Sequence, residues 1–99
     1  MLARRRQPQA GGLAVAIQAH NAAYSTTSLA APSGLVTVVL TNHDLFWHTF
    51  TIDQLHVDLE APLGGTREVS FTAPPGTYRF YCRVPAHAAA GMRGTLTIR

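Results

Sequence analysis

Three side chains able to bind a metal fall on one short stretch, Cys82-Arg83-Val84-Pro85-Ala86-His87-Ala88-Ala89-Ala90-Gly91-Met92, in the spacing C-x4-H-x4-M. A thiolate, an imidazole and a thioether on one tight connection can fold toward a common point, and a second imidazole reaching that point from elsewhere completes a mononuclear site. His48 is the candidate, because in the apolar run over residues 46–52 the side chains of Phe46, His48, Phe50 and Ile52 share one face of a strand. Two imidazoles, a thiolate and a thioether form a soft donor set, and trigonal His2Cys with a weak axial Met is the arrangement of electron-transfer copper. Zinc can fill such a site adventitiously, but the thioether adds nothing for zinc. Cys82 is the only cysteine, so the chain can build neither an internal disulfide nor a site that demands several thiolates.

Taken singly, each of these residues has a plainer explanation. An inward histidine is more often a hydrogen-bonded core residue than a ligand, a lone cysteine is usually inert and buried, a methionine fills gaps, and a loop histidine is ordinary. The four together outweigh that reading, since each would have to place a copper-compatible atom on the right strand or loop by accident. His20, His43 and His56 fall outside the pattern and are expected at the surface.

Strands must position these donors. Short alternating or β-branched runs recur between Pro and Gly punctuation. Residues 13–18 put Leu13, Val15 and Ile17 on one face, and residues 35–41, after Pro32-Ser33-Gly34, do the same for Val36, Val38 and Leu40. Residues 46–52, 67–72 (Val69, Phe71) and 93–99 follow the same rule. Residues 77–82, after Pro74-Pro75-Gly76, turn Tyr78, Phe80 and Cys82 inward and Arg79 and Tyr81 outward. Weaker runs pass through Val57 and Leu59 and through residues 28–31, the latter as an edge piece. The alanine-rich residues 85–90 are long enough for one helical turn only. Seven or eight short strands at this spacing predict an all-β fold, an antiparallel sandwich or barrel rather than a parallel sheet with crossover helices.

Ninety-nine residues suffice for one domain, expected over residues 13–99, with residues 1–12 a flexible basic tail or linker carrying Arg4, Arg5 and Arg6 ahead of Pro8 and Gly11-Gly12. An apolar share of 46% against 13% charged residues is that of a globular chain. No run approaches the roughly 20 apolar residues of a membrane-spanning helix, and no apolar stretch follows the first arginines as a secretory signal requires. The net charge of +3 comes from that tail and from arginines scattered at 67, 79, 83, 93 and 99, without interleaved aromatics, so no nucleic acid is expected as a partner.

With these motifs in hand, the chain resembles the plastocyanin, azurin and auracyanin group of cupredoxins, the type 1 blue copper proteins, from about Leu13 to Arg99. The resemblance is carried by Gly76-Thr-Tyr-Arg-Phe-Tyr-Cys82, the C-x4-H-x4-M loop and Gly94-Thr-Leu-Thr-Ile98, supported by Leu35-Val-Thr-Val-Val-Leu-Thr-Asn42 and His48-Thr-Phe50. It implies a Greek-key β-sandwich holding one Cu(I)/Cu(II) ion. By the same resemblance His48 is the early ligand, Cys82 the thiolate that dominates the metal's electronic structure, His87 the second imidazole and Met92 the weak axial ligand. Many relatives carry Asn directly after the early ligand, where it ties the two ligand-bearing segments together; here Thr49 stands there, and its hydroxyl can serve similarly with fewer donors. Backbone N–H groups in the 83–87 region are the expected donors to the Cys82 sulfur, Pro85 excepted.

What the resemblance implies for function is one-electron transfer by a monomeric carrier, not an enzyme, with redox partner proteins docking near His87. The apolar surface for that docking would come from Pro85, Ala86, Ala88 and Ala89, with Phe46 or Trp47. Family members work in the periplasm or at the cell surface. Two other readings stand beside this one: a type 1 copper domain cut from a larger multicopper enzyme, and a copper-storage or copper-delivery protein. Against the first, the chain has no His-x-His pair for a further copper centre; against the second, it has only two methionines, one of them Met1.

Overall fold

Where the sequence alternates, the chain extends. The structure, a computed structural model, describes residues 13–99; the tail expected over residues 1–12 lies outside the described residues, as does the side chain of Leu13. Strands β1 (Leu13–His20), β2 (Ala23–Tyr24), β3 (Ser28–Ala31), β4 (Gly34–Asn42), β5 (His48–Ile52), β6 (Val57–Ala61), β7 (Thr66–Ala73), β8 (Gly76–Tyr81) and β9 (Arg93–Ile98) form two sheets, ordered β2-β1-β4-β7 and β3-β9-β8-β5-β6. This is the expected all-β sandwich, eight strands of four residues or more together with the two-residue β2. Residues 85–90 form hydrogen-bonded turns and no helix.

Neither sheet is purely antiparallel, which corrects the sequence expectation. β1 lies parallel to β4, from Leu13 opposite Val36 to Ala19 opposite Asn42, and β3 lies parallel to β9. Alternation fixes the face a residue takes but not the strand it pairs with. Here the chain leaves the first sheet after β2, makes β3 in the second and returns for β4, and that crossing brings strands of like direction together.

Between the sheets, Ile17, Val36, Val38 and Leu40 meet Leu29, Phe50, Ile52, Phe80, Leu96 and Ile98, all buried. Each fully buried side chain of this size contributes about 1.5–3 kcal/mol relative to leaving it in water. Phe50 and Phe80 stack at 4.7 Å, and Tyr24 meets Phe80 edge-on at 5.3 Å while its hydroxyl donates to the Thr49 carbonyl at 2.5 Å. Gly94 lies against this stack. A Cβ there would stand 2.5 Å from Phe80 Cζ and 2.5 Å from the Thr27 carbonyl oxygen, so the position admits no side chain.

β5 departs from the expected alternation, because all five of its residues are buried. It lies between β6 and β8, and polar groups cover its outer face. Thr49 and Thr51 share a hydrogen bond at 3.0 Å, Thr51 donates to Asp58 at 2.7 Å, and the Thr49 hydroxyl accepts the Arg83 N–H at 2.9 Å. Phe46, expected to lead this strand, instead precedes it and is 43% exposed.

Candidate metal centre

The donors gather at one end of the sandwich because β5 begins there and β8 ends there. His48 is the first residue of β5, and Cys82 follows the last residue of β8, its side chain turned inward as parity predicts. The eleven-residue connection is then closed by its own backbone. Cys82 N–H donates to the Met92 carbonyl at 3.1 Å and Met92 N–H to the His87 carbonyl at 3.0 Å, which sets Met92 beside the other two. Ala86 takes a left-handed φ of 73°, an uncommon conformation for a residue with a Cβ, and so redirects the chain just before His87.

His48 Nδ1 and His87 Nδ1 each lie 3.7 Å from Cys82 Sγ, and the three donor atoms fall within 4.8 Å of one another. Bonds of about 2.0 Å to nitrogen and about 2.3 Å to sulfur at trigonal angles would set such donors about 3.7 Å apart, so the trio fits a first-row transition metal. His48, Cys82 and Met92 are fully buried, and Met92 belongs to the same apolar core as Leu96. His87 is half-buried, and Phe46 packs edge-on against both imidazoles, at 4.8 Å from the His48 ring and 5.5 Å from the His87 ring. An open groove of about 540 Å³ on the outer face of β8 and β9, lined by Arg79, Tyr81 and Arg93, contains none of these donors. With His48, Cys82 and Met92 fully buried, the centre is enclosed by packed side chains on all sides but that of His87.

Two groups around the donors escaped the sequence reading. The N–H that reaches the sulfur belongs to Thr49, at 3.4 Å, and not to residues 83–87. β5 runs alongside the end of β8 and presents its backbone there, whereas loop N–H groups are engaged elsewhere: His87 N–H donates to the Val84 carbonyl within the loop, and Arg83 N–H donates across to the Thr49 hydroxyl on β5. That last bond makes Thr49 the tie between the two ligand-bearing segments, as anticipated for its hydroxyl.

The second group is Asp44. Its Oδ2 lies 2.7 Å from His48 Nε2, and since a carboxylate only accepts, Nε2 carries the proton and leaves the Nδ1 lone pair facing the sulfur. Burial would raise the Asp44 carboxyl, but the N–H groups of Ala22 and Asn21 and the His48 ring outweigh it and hold it at about 2. Burial, then the neighbouring His48 ring, lowers His87 below the ordinary imidazole value, with Asp44 opposing. The signal in the sequence was an acid four residues before the early histidine, which becomes informative only once the β4–β5 connection is seen to curl back.

His20, His43 and His56 are exposed, as expected, and none joins the donor cluster. Leu45, Phe46 and Trp47 are 87%, 43% and 39% exposed on the β4–β5 connection, and Pro85, Ala86 and Ala89 are exposed on the ligand loop. Arg83 lies 5.3 Å from the Trp47 ring and pairs with Asp58 and Glu60. Among the described residues no helix is long and apolar enough to cross a membrane.

Comparison with known proteins agrees with this geometry. The cupredoxin-like domain family matches residues 1–98. A 36-residue segment, 35% of this chain, is 50% identical to auracyanin-B of Chloroflexus aurantiacus, though it spans only 15% of that protein's length. Dithionite-reduced auracyanin from the photosynthetic bacterium Roseiflexus castenholzii superposes with a TM-score of 0.78 at 25% identity, over 87% of this chain and 96% of that one. Rusticyanin from Thiobacillus ferrooxidans shares the fold with a TM-score of 0.77 at 21% identity, over 92% of this chain and 79% of that one.

Proposed function

The chain belongs to the cupredoxin-like domain family, and on that premise we propose that it is a blue-copper electron carrier whose single copper ion is held by His48, Cys82, His87 and Met92. Bound there, copper would supply a reversible Cu(I)/Cu(II) couple. The observation that carries the proposal is the convergence of His48 Nδ1, Cys82 Sγ and His87 Nδ1 within 4.8 Å.

The protein's share is to hold these donors so that one electron can come and go with little rearrangement. Strand β5 and the end of β8 fix His48 and Cys82, the Thr49 N–H partly offsets charge on the thiolate sulfur, and the packed surroundings keep water out. Fully buried donors also argue against a storage or delivery role, which needs exposed and exchangeable ligands. Of the four, His87 alone is half-buried. It is therefore the port through which a redox partner protein, docked on the apolar surface of Phe46, Trp47, Pro85 and Ala86, exchanges the electron. This is a carrier and not an enzyme, a monomer in solution, acting in the periplasm or at the cell surface, as the family resemblance implies. Residues 13–99 are its functional domain.

Voltammetry of the copper-loaded protein tests the function. One reversible one-electron wave, carried by one copper per chain, is expected. Copper that a mild chelator strips rapidly, with no reversible wave, would move the assignment to storage or delivery.

A further inference from the structure

At the turn between β1 and β2, Asn21 and Ala22 both adopt left-handed backbone conformations, with φ of 55° and 56°. Glycine is the usual occupant of such positions, and alanine there is strained. The two consecutive N–H groups point at one anion, the Asp44 carboxylate, with Asn21 N 2.7 Å from Oδ1 and Ala22 N 3.0 Å from Oδ2. The same Oδ2 takes the His48 Nε2–H at 2.7 Å, while Asn42 Oδ1 accepts the Asp44 N–H at 2.8 Å and fixes the residue from behind. Three N–H donors thus converge on both oxygens of a carboxylate that is only 7% exposed. An amide cannot replace it in full: with its oxygen toward His48 it would turn its NH2 toward the Asn21 N–H, donor against donor.

Resting on the copper reading above, we propose that Asp44 is a positioning residue for His48 that also sets the reduction potential. Held by the turn, the carboxylate fixes His48 as the Nε2–H tautomer with Nδ1 free for the metal. Its negative charge, one imidazole away from the ion, favours the higher oxidation state. The turn at Asn21–Ala22 is thereby part of the metal site's support, although it contributes no ligand.

The test compares the wild type with D44N and D44A, using E68Q, which removes a carboxylate at an exposed position on β7, as a control for loss of charge alone. In D44N the preference for Cu(II) over Cu(I) should fall by about tenfold, a rise in potential of about 59 mV for one electron, while E68Q stays at the wild-type potential. Nitrogen-15 NMR of the metal-free wild type, which requires no variant, should show His48 as a single Nε2–H tautomer, and D44A should lose that preference. A wild-type potential in D44N and D44A, with the copper-thiolate absorption intact, would overturn the proposal and leave the copper function standing. So would an Nδ1–H tautomer in the metal-free wild type. A wild type that shows no copper-thiolate absorption would instead defeat the copper reading and the potential-setting role with it, and the tautomer measurement would decide the positioning role alone.

Discussion

His48 and His87 present the same atom, Nδ1, to the same sulfur at the same 3.7 Å, yet they are held in opposite ways. His48 starts a strand in which every residue is buried, and its far nitrogen is bound to a carboxylate that is itself held by a turn. His87 rides an alanine-rich loop shaped by its own turns, half-buried, with Phe46 as its ring neighbour on the outer side. One half of the centre is fastened for geometry and the other is left near the surface for exchange. An electron carrier requires both, because reorganisation must be small and distance to a partner short.

The largest expected effect is on the ligands themselves. Replacing His48 with Gly should lower copper affinity by more than the roughly 10–100-fold that loss of an outer partner costs, and imidazole added to solution should not restore it, because the position is fully buried. His87→Gly should be rescued by added imidazole, and without rescue its exchange with partner proteins should collapse. Equal rescue of the two variants, read by absorption and stopped-flow kinetics, would erase the contrast between the halves.

Next come changes to the packing under the strand-held half. Phe80→Ala removes a side chain stacked on Phe50 and should cost about 3–5 kcal/mol. Gly94→Ala, which drives a Cβ to 2.5 Å from that ring, should cost about 1–3 kcal/mol by overpacking. Thermal unfolding of the metal-free protein checks both, and an unchanged midpoint in Gly94→Ala would mean that the Phe80 ring and the Thr27 backbone both yield freely.

Thr49→Val separates the two tasks of that residue. Its N–H to the sulfur survives, while the Arg83 N–H loses its acceptor at a cost of about 1–3 kcal/mol. Stability should therefore fall with little change in the absorption spectrum. A large spectral shift would place the hydroxyl rather than the backbone in control of the sulfur.

The smallest effect belongs to the surface. Arg83, with Thr51 assisting, holds the Asp58 carboxyl below its ordinary value against some burial. A carboxylate so depressed stabilises the fold above its unfolded pKa, near 4, and that stability is lost as pH falls through the lower folded value. Asp58→Asn should accordingly flatten the decline in unfolding midpoint below pH 4 and change little at pH 7, since exposed pairs count for little.

Much of this centre was legible in the sequence, because strand parity and loop spacing are local. Parity alone turned Cys82 and Phe80 inward, and the C-x4-H-x4-M spacing marked the loop. What escaped depended on neighbours that only the topology supplies. The parallel pairing of β1 with β4, the burial of Thr49 and Thr51 under Asp58 and Arg83, and the delivery of the sulfur's N–H from β5 each join residues far apart in the chain. Asp44 was hidden for the same reason, since its three donors come from residues 21, 22 and 48. β2, at two residues, is too short to leave a periodic trace.

The most direct test of the account is the visible absorption spectrum of the oxidised, copper-loaded protein beside that of Cys82→Ser. An intense band in the orange-red that disappears with the thiolate is the predicted result. A wild type that stays colourless, or a band that persists in Cys82→Ser, would contradict the assignment of these residues to a copper-thiolate centre.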